Sequence, residues 1–505
     1  MNRKSALLLL AVALAAVFSL ASAQSLASLT PPGATAGMYT RNLAIKKAYF
    51  IDFQAEWNRL GISELFMKTI EGESNNPLTP EEKREIGTLL SADVFGQEGI
   101  LTVYPDGGFF VLAKPAAKSA QEIIGAIRQA MKNPYERNGW LLEKNGDNPE
   151  FVIGVSNNML MMGSQKVVER FFKGDRGYKL PIEGDFAFWV EGEPLWKYLD
   201  DPNLGLPPEA VRAIKTFGGL YMAMNIEKDG IHSYSRFNLN PDQDATLAEI
   251  FTPRGSAWPL SSLPAGVSVS SGMLDFAKLG DYASGWAEKF GSDLQLDLSA
   301  FGNRYAIIDA GSEDPQAAMQ QPLGNLLLLI ETKDSLTAEV TLLSWLQMLA
   351  GFASPQDNGG FAVKAIKVDG RDGKKVQIGM MGELYIVSYD DRLAVATSQK
   401  ALELLSAAKL AQDPDYLRLS KMLPAQYTSA GFGKVGKALR QGAALLPFMI
   451  TQQIEDPDVQ RLMAEFSLKL SQFMTFVAGK TGNSISYGVH TDRYMQGKSF
   501  TEINW

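Results

Sequence analysis

The sequence predicts an α+β fold made of two tandem, similar domains, each a mainly antiparallel sheet of hairpins backed by helices. Three observations carry this reading. First, the chain matches itself. Ser164-Gln165-Lys166 answers to Ser398-Gln399-Lys400, and around that match Ile153, Asn157, Met159 and Met161 fall opposite Val387, Asp391, Leu393 and Val395 without a gap. Second, turn residues separate short apolar runs in hairpin spacing more often than in crossover spacing, which favours antiparallel pairing. Third, 505 residues are too many for one hydrophobic core.

The elements follow in order. Residues 1–23 read as a secretory leader: Arg3 and Lys4 start it, Ala6 to Leu20 is uncharged and apolar, and Ala21-Ser22-Ala23 is a small-residue cleavage site. The first domain is expected over 24–255. Pro31-Pro32-Gly33 opens a strand. A helix carrying Trp57 ends at Leu60-Gly61, where glycine suits the left-handed C-terminal position. Thr79, Pro80 and Glu82 mark a helix start within an addition at 76–90. Gly99 to Tyr104 and Gly108 to Ala113 form a hairpin about Pro105-Asp106-Gly107. Ser119 and Glu122 cap a helix with Ile123, Ile124, Ile127 and Met131 on one face. A second hairpin turns at Asn157-Asn158, and the helix after it buries Val167, Val168, Phe171 and Phe172. Leu180-Pro181 opens a further strand and helix, and a closing hairpin turns at Lys228-Asp229-Gly230.

The second domain is expected over 256–505, beyond a Pro- and Gly-marked linker from Thr252 to Pro259. It repeats the plan: Pro264-Ala265-Gly266, a helix with Trp286 and Phe290-Gly291, a strand over 326–330 and a helix over 336–349. A hairpin follows at Asp391-Arg392, then a helix burying Ala401, Leu402 and Leu405, then Leu423-Pro424. The closing hairpin is expected at Lys480-Thr481-Gly482 and a terminal edge strand at Ile503-Asn504-Trp505. An extra helical insertion is expected near 443–472, with one helix starting at Asp456-Pro457-Asp458.

The leader, the two copies, the Leu-Pro-Ala-Gly opening at Leu263, the Phe-Gly strand starts at Phe95 and Phe301, and the hairpin followed by the Ser-Gln-Lys helix resemble a family of exported bacterial proteins known only as a domain of unknown function. The resemblance would cover nearly all of the chain after the leader. It implies a two-copy α+β build and an envelope location, periplasmic or extracellular. It brings no activity and no catalytic residues.

Composition narrows the chemistry. With no cysteine, disulfides, thiol catalysis and lipid attachment at cysteine are excluded. The formal charge is −8, and losing Arg3 and Lys4 with the leader makes it more negative. Nucleic acid is therefore not expected as a partner. Nothing beyond residue 23 is long and apolar enough to span a bilayer as a helix. Only two histidines are present, His232 and His490, and no H-E-x-x-H, so no metal site is expected. The turns and Ser233-Tyr234 against Ser486-Tyr487 make the two histidines inequivalent. Without a glycine-rich phosphate loop, no cofactor is expected either.

Four patterns remain. Ser406-Ala407-Ala408-Lys409 and Lys480-Thr481-Gly482 match the S-x-x-K and K-T-G elements of serine acyl-transferases, but the S-x-N element between them is missing. Asn238, Asn240, Asp242, Asp244 and Glu249 have calcium-loop spacing without its first Asp or its Gly, and a capped helix start near Asp242 explains them as well. The terminal Trp505 resembles the end of a barrel strand, which the amphipathic helices oppose. The segment 186–201 gathers Trp189, Glu191, Glu193, Trp196, Tyr198, Asp200 and Asp201. If its strand runs through Glu193, Glu191 and Glu193 share a face about 7 Å apart. Paired carboxylates at that spacing suit glycosidic bond cleavage, with Trp189, Trp196 or Tyr198 holding a sugar. Three functions are thus expected in order: a non-catalytic envelope protein that binds or scaffolds, a carbohydrate-active hydrolase using Glu191 and Glu193, and a two-lobed solute-binding protein.

Overall fold

The structure, a computed structural model, describes residues 25–41, 43–62, 64–65, 79, 97–116, 120–145, 151–289, 295–312, 324–353, 361–379, 382–451 and 457–505. The leader, most of the addition at 76–90, the Ser119 cap, Gly291 and Asp456 lie outside these residues.

The class is α+β, and the strands pair antiparallel throughout. In the first half they are β1 (Ala36–Arg41), β2 (Glu98–Val103), β3 (Phe109–Lys114), β4 (Tyr135–Arg137), β5 (Trp140–Asn145), β6 (Phe151–Val155), β7 (Leu160–Ser164), β8 (Phe186–Glu191), β9 (Phe217–Glu227) and β10 (Gly230–Leu239). In the second half they are β11 (Ser268–Met273), β12 (Phe301–Asp309), β13 (Leu326–Thr332), β14 (Phe361–Val368), β15 (Arg371–Ile378), β16 (Gly382–Ser388), β17 (Arg392–Ala396), β18 (Ser429–Gly433), β19 (Thr481–Thr491) and β20 (Tyr494–Ile503). Across the first half the pairing order is β4-β5-β6-β7-β3-β2-β1-β8-β9-β10. Across the second it is β14-β15-β16-β17-β13-β12-β11-β18-β19-β20. The two orders are the same path. They join where β10 pairs with β20, from Gly230 opposite Glu502 to Asn238 opposite Tyr494. One sheet of 20 strands results, with β4 and β14 as its edges among the described residues.

Helices cover both faces of the outer parts. The main ones are α1 (Ile51–Arg59), α2 (Ala120–Ala130), α3 (Gln165–Phe172), α4 (Pro208–Thr216), α5 (Ala245–Phe251), α6 (Phe276–Lys289), α7 (Ser335–Ala353), α8 (Gln399–Glu403), α9 (Pro414–Leu419), α10 (Val435–Thr451) and α11 (Pro457–Lys480). Alternation along β3 explains the layering. Phe110 and Leu112 face α3, with Val167, Val168 and Phe171, while Val111 and Ala113 face α2, with Ile123 and Ile124. Because both faces are covered, the strand reads as an unbroken apolar run. β13 is built alike, with Leu327 and Leu329 on the side of α8 and Ile330 on the side of α7.

Three sequence expectations are corrected. Lys480-Thr481-Gly482 is no hairpin turn: Lys480 ends α11 and Thr481 begins β19, and the closing hairpin turns at Asp492-Arg493. The terminal strand is no edge: β20 is hydrogen-bonded on both sides, to β10 and β19. The helical insertion extends beyond 443–472 on both sides, as the hairpin α10–α11. That hairpin closes tightly at its base. A Cβ on Gly436 would stand 2.1 Å from the Thr481 carbonyl oxygen, so only glycine lets α10 start against the end of α11.

The linker is packed. Ala257 and Trp258 are buried, Trp258 in the second-half core. The Ala257 N–H donates to the Tyr427 carbonyl at 3.1 Å. His490 holds the Pro253 carbonyl at 2.7 Å, and burial lowers the histidine's pKa.

Candidate ligand-binding site

The acidic-aromatic segment does not assemble as the sequence suggested. Trp189 is fully buried, stacked on Tyr178 at 5.6 Å. Its ring lies over Gly37 of β1, where an added Cβ would come within 2.3 Å of it. Enclosed in this way, Trp189 offers no face to a sugar. The strand stops at Glu191, because Gly192 is helical (φ −75°, ψ −44°) and Pro194 fits the first turn of a 3-10 helix starting at Glu193. Glu191 and Glu193 therefore do not share a strand face. Glu191 is half-buried; burial and the charge of Glu193 raise its pKa. Trp196 is half-buried with its indole N–H enclosed and unmatched by an acceptor, and Tyr198 is exposed. Asp200 pairs with Lys215 at 2.6 Å, and Asp201 accepts from the Asn203 N–H.

The other patterns also resolve locally. Ser406 donates to Asp369, and Lys480 is bonded to Asp52. Asp244, not Asp242, caps α5 through the Leu247 N–H at 3.0 Å. Asp244 also accepts from the Tyr282 hydroxyl, and Glu249 binds Lys278. The histidines stand on different strands, His232 on β10 and His490 on β19. His232 leans on Phe500 at 4.6 Å between centroids. Its ring nitrogen and one oxygen each of Glu227 and Asp229 lie within 4.8 Å of one another. This is a donor set a divalent cation could use, on a hairpin turn with both carboxylates largely in water.

A different site emerges under the α10–α11 hairpin. Ser268 and Ser270 of β11 stand opposite Gly433 and Gly431 of β18, which stand opposite Ser484 and Ser486 of β19. Paired residues share a face, so two rows of serine and glycine form a low floor. Above it run Leu439, Ala443 and Leu446 of α10 and Met474 of α11, and the space between is a cavity of about 660 Å³. A second cavity of about 770 Å³ adjoins it, and Lys434 and Gly442 line both. Among the described residues its wall holds Lys434, Lys437 and Arg440, with Asp309 as the acidic lining residue. Spacings of three residues place those cations along one side of the first turns of α10. Lys434 reaches Asp413 at 2.8 Å. Burial pushes the Asp413 carboxyl up, but Lys434 and the N–H groups of Tyr416 and Asp415 outweigh it and hold the carboxyl below its ordinary value.

Sequence reasoning missed this site. Its signals were small residues at alternate positions of three separate strands, and lysine or arginine every third residue from 434. Neither resembles a motif until pairing brings them together.

The fold belongs to the class of antiparallel sheets layered with helices. No family model matches the chain, and no curated protein matches it. Among solved structures, crystal forms I, IV and III of TP0453 align at 13%, 12% and 12% identity. The alignments cover 44%, 42% and 43% of this chain and 80%, 79% and 81% of those chains, with TM-scores of 0.24, 0.22 and 0.23. Scores this low carry no argument about fold or activity.

Proposed function

We propose that this is a non-catalytic binding protein of the bacterial envelope, exported by its leader, which holds a small ligand beneath the α10–α11 hairpin. The observation that carries the reading is the pair of adjoining cavities, each within the size range of small-molecule sites. We further infer that the two halves are copies, supported by the Ser-Gln-Lys match and the shared pairing path. On that view the hairpin is what the second copy gained. Between β18 and β19 it spans 435–480, where the first half has only short helices between β8 and β9. The two halves meet along β10 and β20, so the linker is no hinge between facing lobes.

Native mass spectrometry of the protein isolated gently from its host's envelope fraction tests this. The expected result is a retained extra mass that disappears in Ser486→Phe, a variant that fills the cavity floor while keeping the circular dichroism spectrum. A bare chain from the host, with the variant indistinguishable from it, refutes the binding reading and leaves a scaffold.

A further inference from the structure

We propose that Glu227, Asp229 and His232 form a site for a divalent transition-metal ion of the zinc type. The site lies at the tip of the β9–β10 hairpin and is independent of the cavities beneath α10–α11.

Strand register brings the three donors together. Glu227 stands opposite Gly230, and His232 follows two residues along the same strand, so both side chains leave one face of the sheet. Asp229 occupies the turn between them. His232 Nε2 lies 3.4 Å from Asp229 Oδ1 and 3.9 Å from Glu227 Oε2. All three donor atoms lie within 4.8 Å of one another. Two ligands held by one tetrahedral ion at about 2.0–2.1 Å stand roughly 3.4 Å apart. The donors are thus already near coordinating separations, whereas 3.4 Å is long for a hydrogen bond. Their backbone is fixed from the side of β20. The Phe500 ring backs the imidazole at 4.6 Å. The Ile503 N–H donates to the Asp229 carbonyl at 3.3 Å, and the Trp505 indole N–H to the Glu227 carbonyl at 2.7 Å. Gly230 (φ +150°) lets the turn press against β20, since a Cβ there would stand 2.0 Å from the Thr501 carbonyl oxygen. The carboxylates, largely in water, need only side-chain rotation to close on an ion.

The donor set selects the ion. Imidazole beside carboxylates suits zinc and its first-row neighbours, whereas calcium and magnesium prefer oxygen donors alone. Two carboxylates neutralise a dication, and three protein ligands leave a fourth tetrahedral position for water or a further ligand. The chain has no cysteine and one other histidine, His490. It lies on the opposite face of the sheet, its ring nitrogen on the Pro253 carbonyl at 2.7 Å.

The test uses the whole chain after the leader, purified without a histidine tag and titrated calorimetrically with zinc, magnesium and calcium chlorides. One equivalent of zinc should bind, at least about tenfold more tightly than magnesium or calcium. Glu227→Gln and Asp229→Asn keep side-chain size at exposed positions and should each weaken zinc by at least about tenfold, as loss even of an outer-shell partner does. In spectra of the chain carrying ¹³C-labelled histidine, zinc should move the His232 signals and leave those of His490 in place, with His232→Gln assigning the two. Zinc should also slow amide exchange in 227–232 and in 500–505, the residues that hold the turn. No zinc binding at about 1 mM overturns the site. So does zinc affinity that is unchanged in the double variant Glu227→Gln, Asp229→Asn, or movement of the His490 signals alone. Calcium or magnesium binding as tightly as zinc overturns the transition-metal class.

Discussion

Glu98 shows how a single side chain can set a pH response. It is 2% exposed and its Oε1 accepts from the Leu26 N–H at 2.6 Å and the Tyr39 hydroxyl at 2.7 Å. Burial raises its pKa, and those bonds only partly offset the shift. A carboxyl raised in the folded state contributes stability at low pH that is lost as pH rises through the folded value. Glu98→Gln keeps the accepting oxygen and removes the charge. It should therefore raise the urea midpoint at pH 8 and leave it nearly unchanged at pH 4; an equal loss at both would contradict this account. Asp413 works in the opposite sense, its folded pKa being lowered, so Asp413→Asn should cost stability at pH 7 and progressively less as pH falls below the ordinary carboxylate range. Trp189→Ala should cost about 3–5 kcal/mol in urea unfolding, as expected for an enclosed indole. The aromatic residues of 186–201 were conspicuous in the sequence. Their directions were not, because the space that admits Trp189 is made by the missing side chain of Gly37, on a strand far away in the chain.

Among the elements, α1 and α11 are bound by aromatic edges. Trp57 meets Phe473 at 5.1 Å and Phe53 meets Phe476 at 5.6 Å, both near perpendicular. Trp505 closes the set, 5.4 Å from Tyr49 and 5.1 Å from Phe50, with its indole N–H on the Glu227 carbonyl at 2.7 Å. Each such pair adds about 0.5–1.5 kcal/mol beyond its buried area. Trp505→Ala should lower the opening free energy of α1 by at least about 1 kcal/mol in amide hydrogen exchange, while β10 and β20 keep their protection. Unchanged exchange in 51–59 would show that Trp505 is ornamental. Most elements were legible locally: the turns at Pro105-Asp106-Gly107 and Asn157-Asn158 and the apolar faces of α2 and α3 needed only short-range chemistry. Lys480-Thr481-Gly482 misled because glycine also serves a helix-to-strand junction. The true turn, Asp492-Arg493, carries no glycine to announce it.

At the scale of the molecule, the consequence of the β10–β20 seam is mechanical unity. A chain read as two domains on a linker should unfold in two steps; a sheet hydrogen-bonded through its middle should unfold in one. Calorimetry should show a single transition with equal calorimetric and van't Hoff enthalpies. Ser233→Pro, which removes an N–H from a strand paired on both sides, should split that transition in two. Two transitions in the unaltered chain would rule out the coupling. The self-match about Ser-Gln-Lys was visible in the sequence, but the seam was not, since nothing local distinguishes a terminal strand that ends a sheet from one that joins two. The joining also changes how the molecule meets its neighbours. Ten strands alone would leave β10 or β20 open, a long template for foreign chains. Fused, the chain doubles its strands and, among the described residues, still shows two margins. One, β4, is only three residues long, and the other, β14, carries Lys364 and Lys367. Short or lysine-bearing margins discourage accretion of further strands. The architecture thus protects itself from runaway assembly by sealing its most adhesive borders against each other.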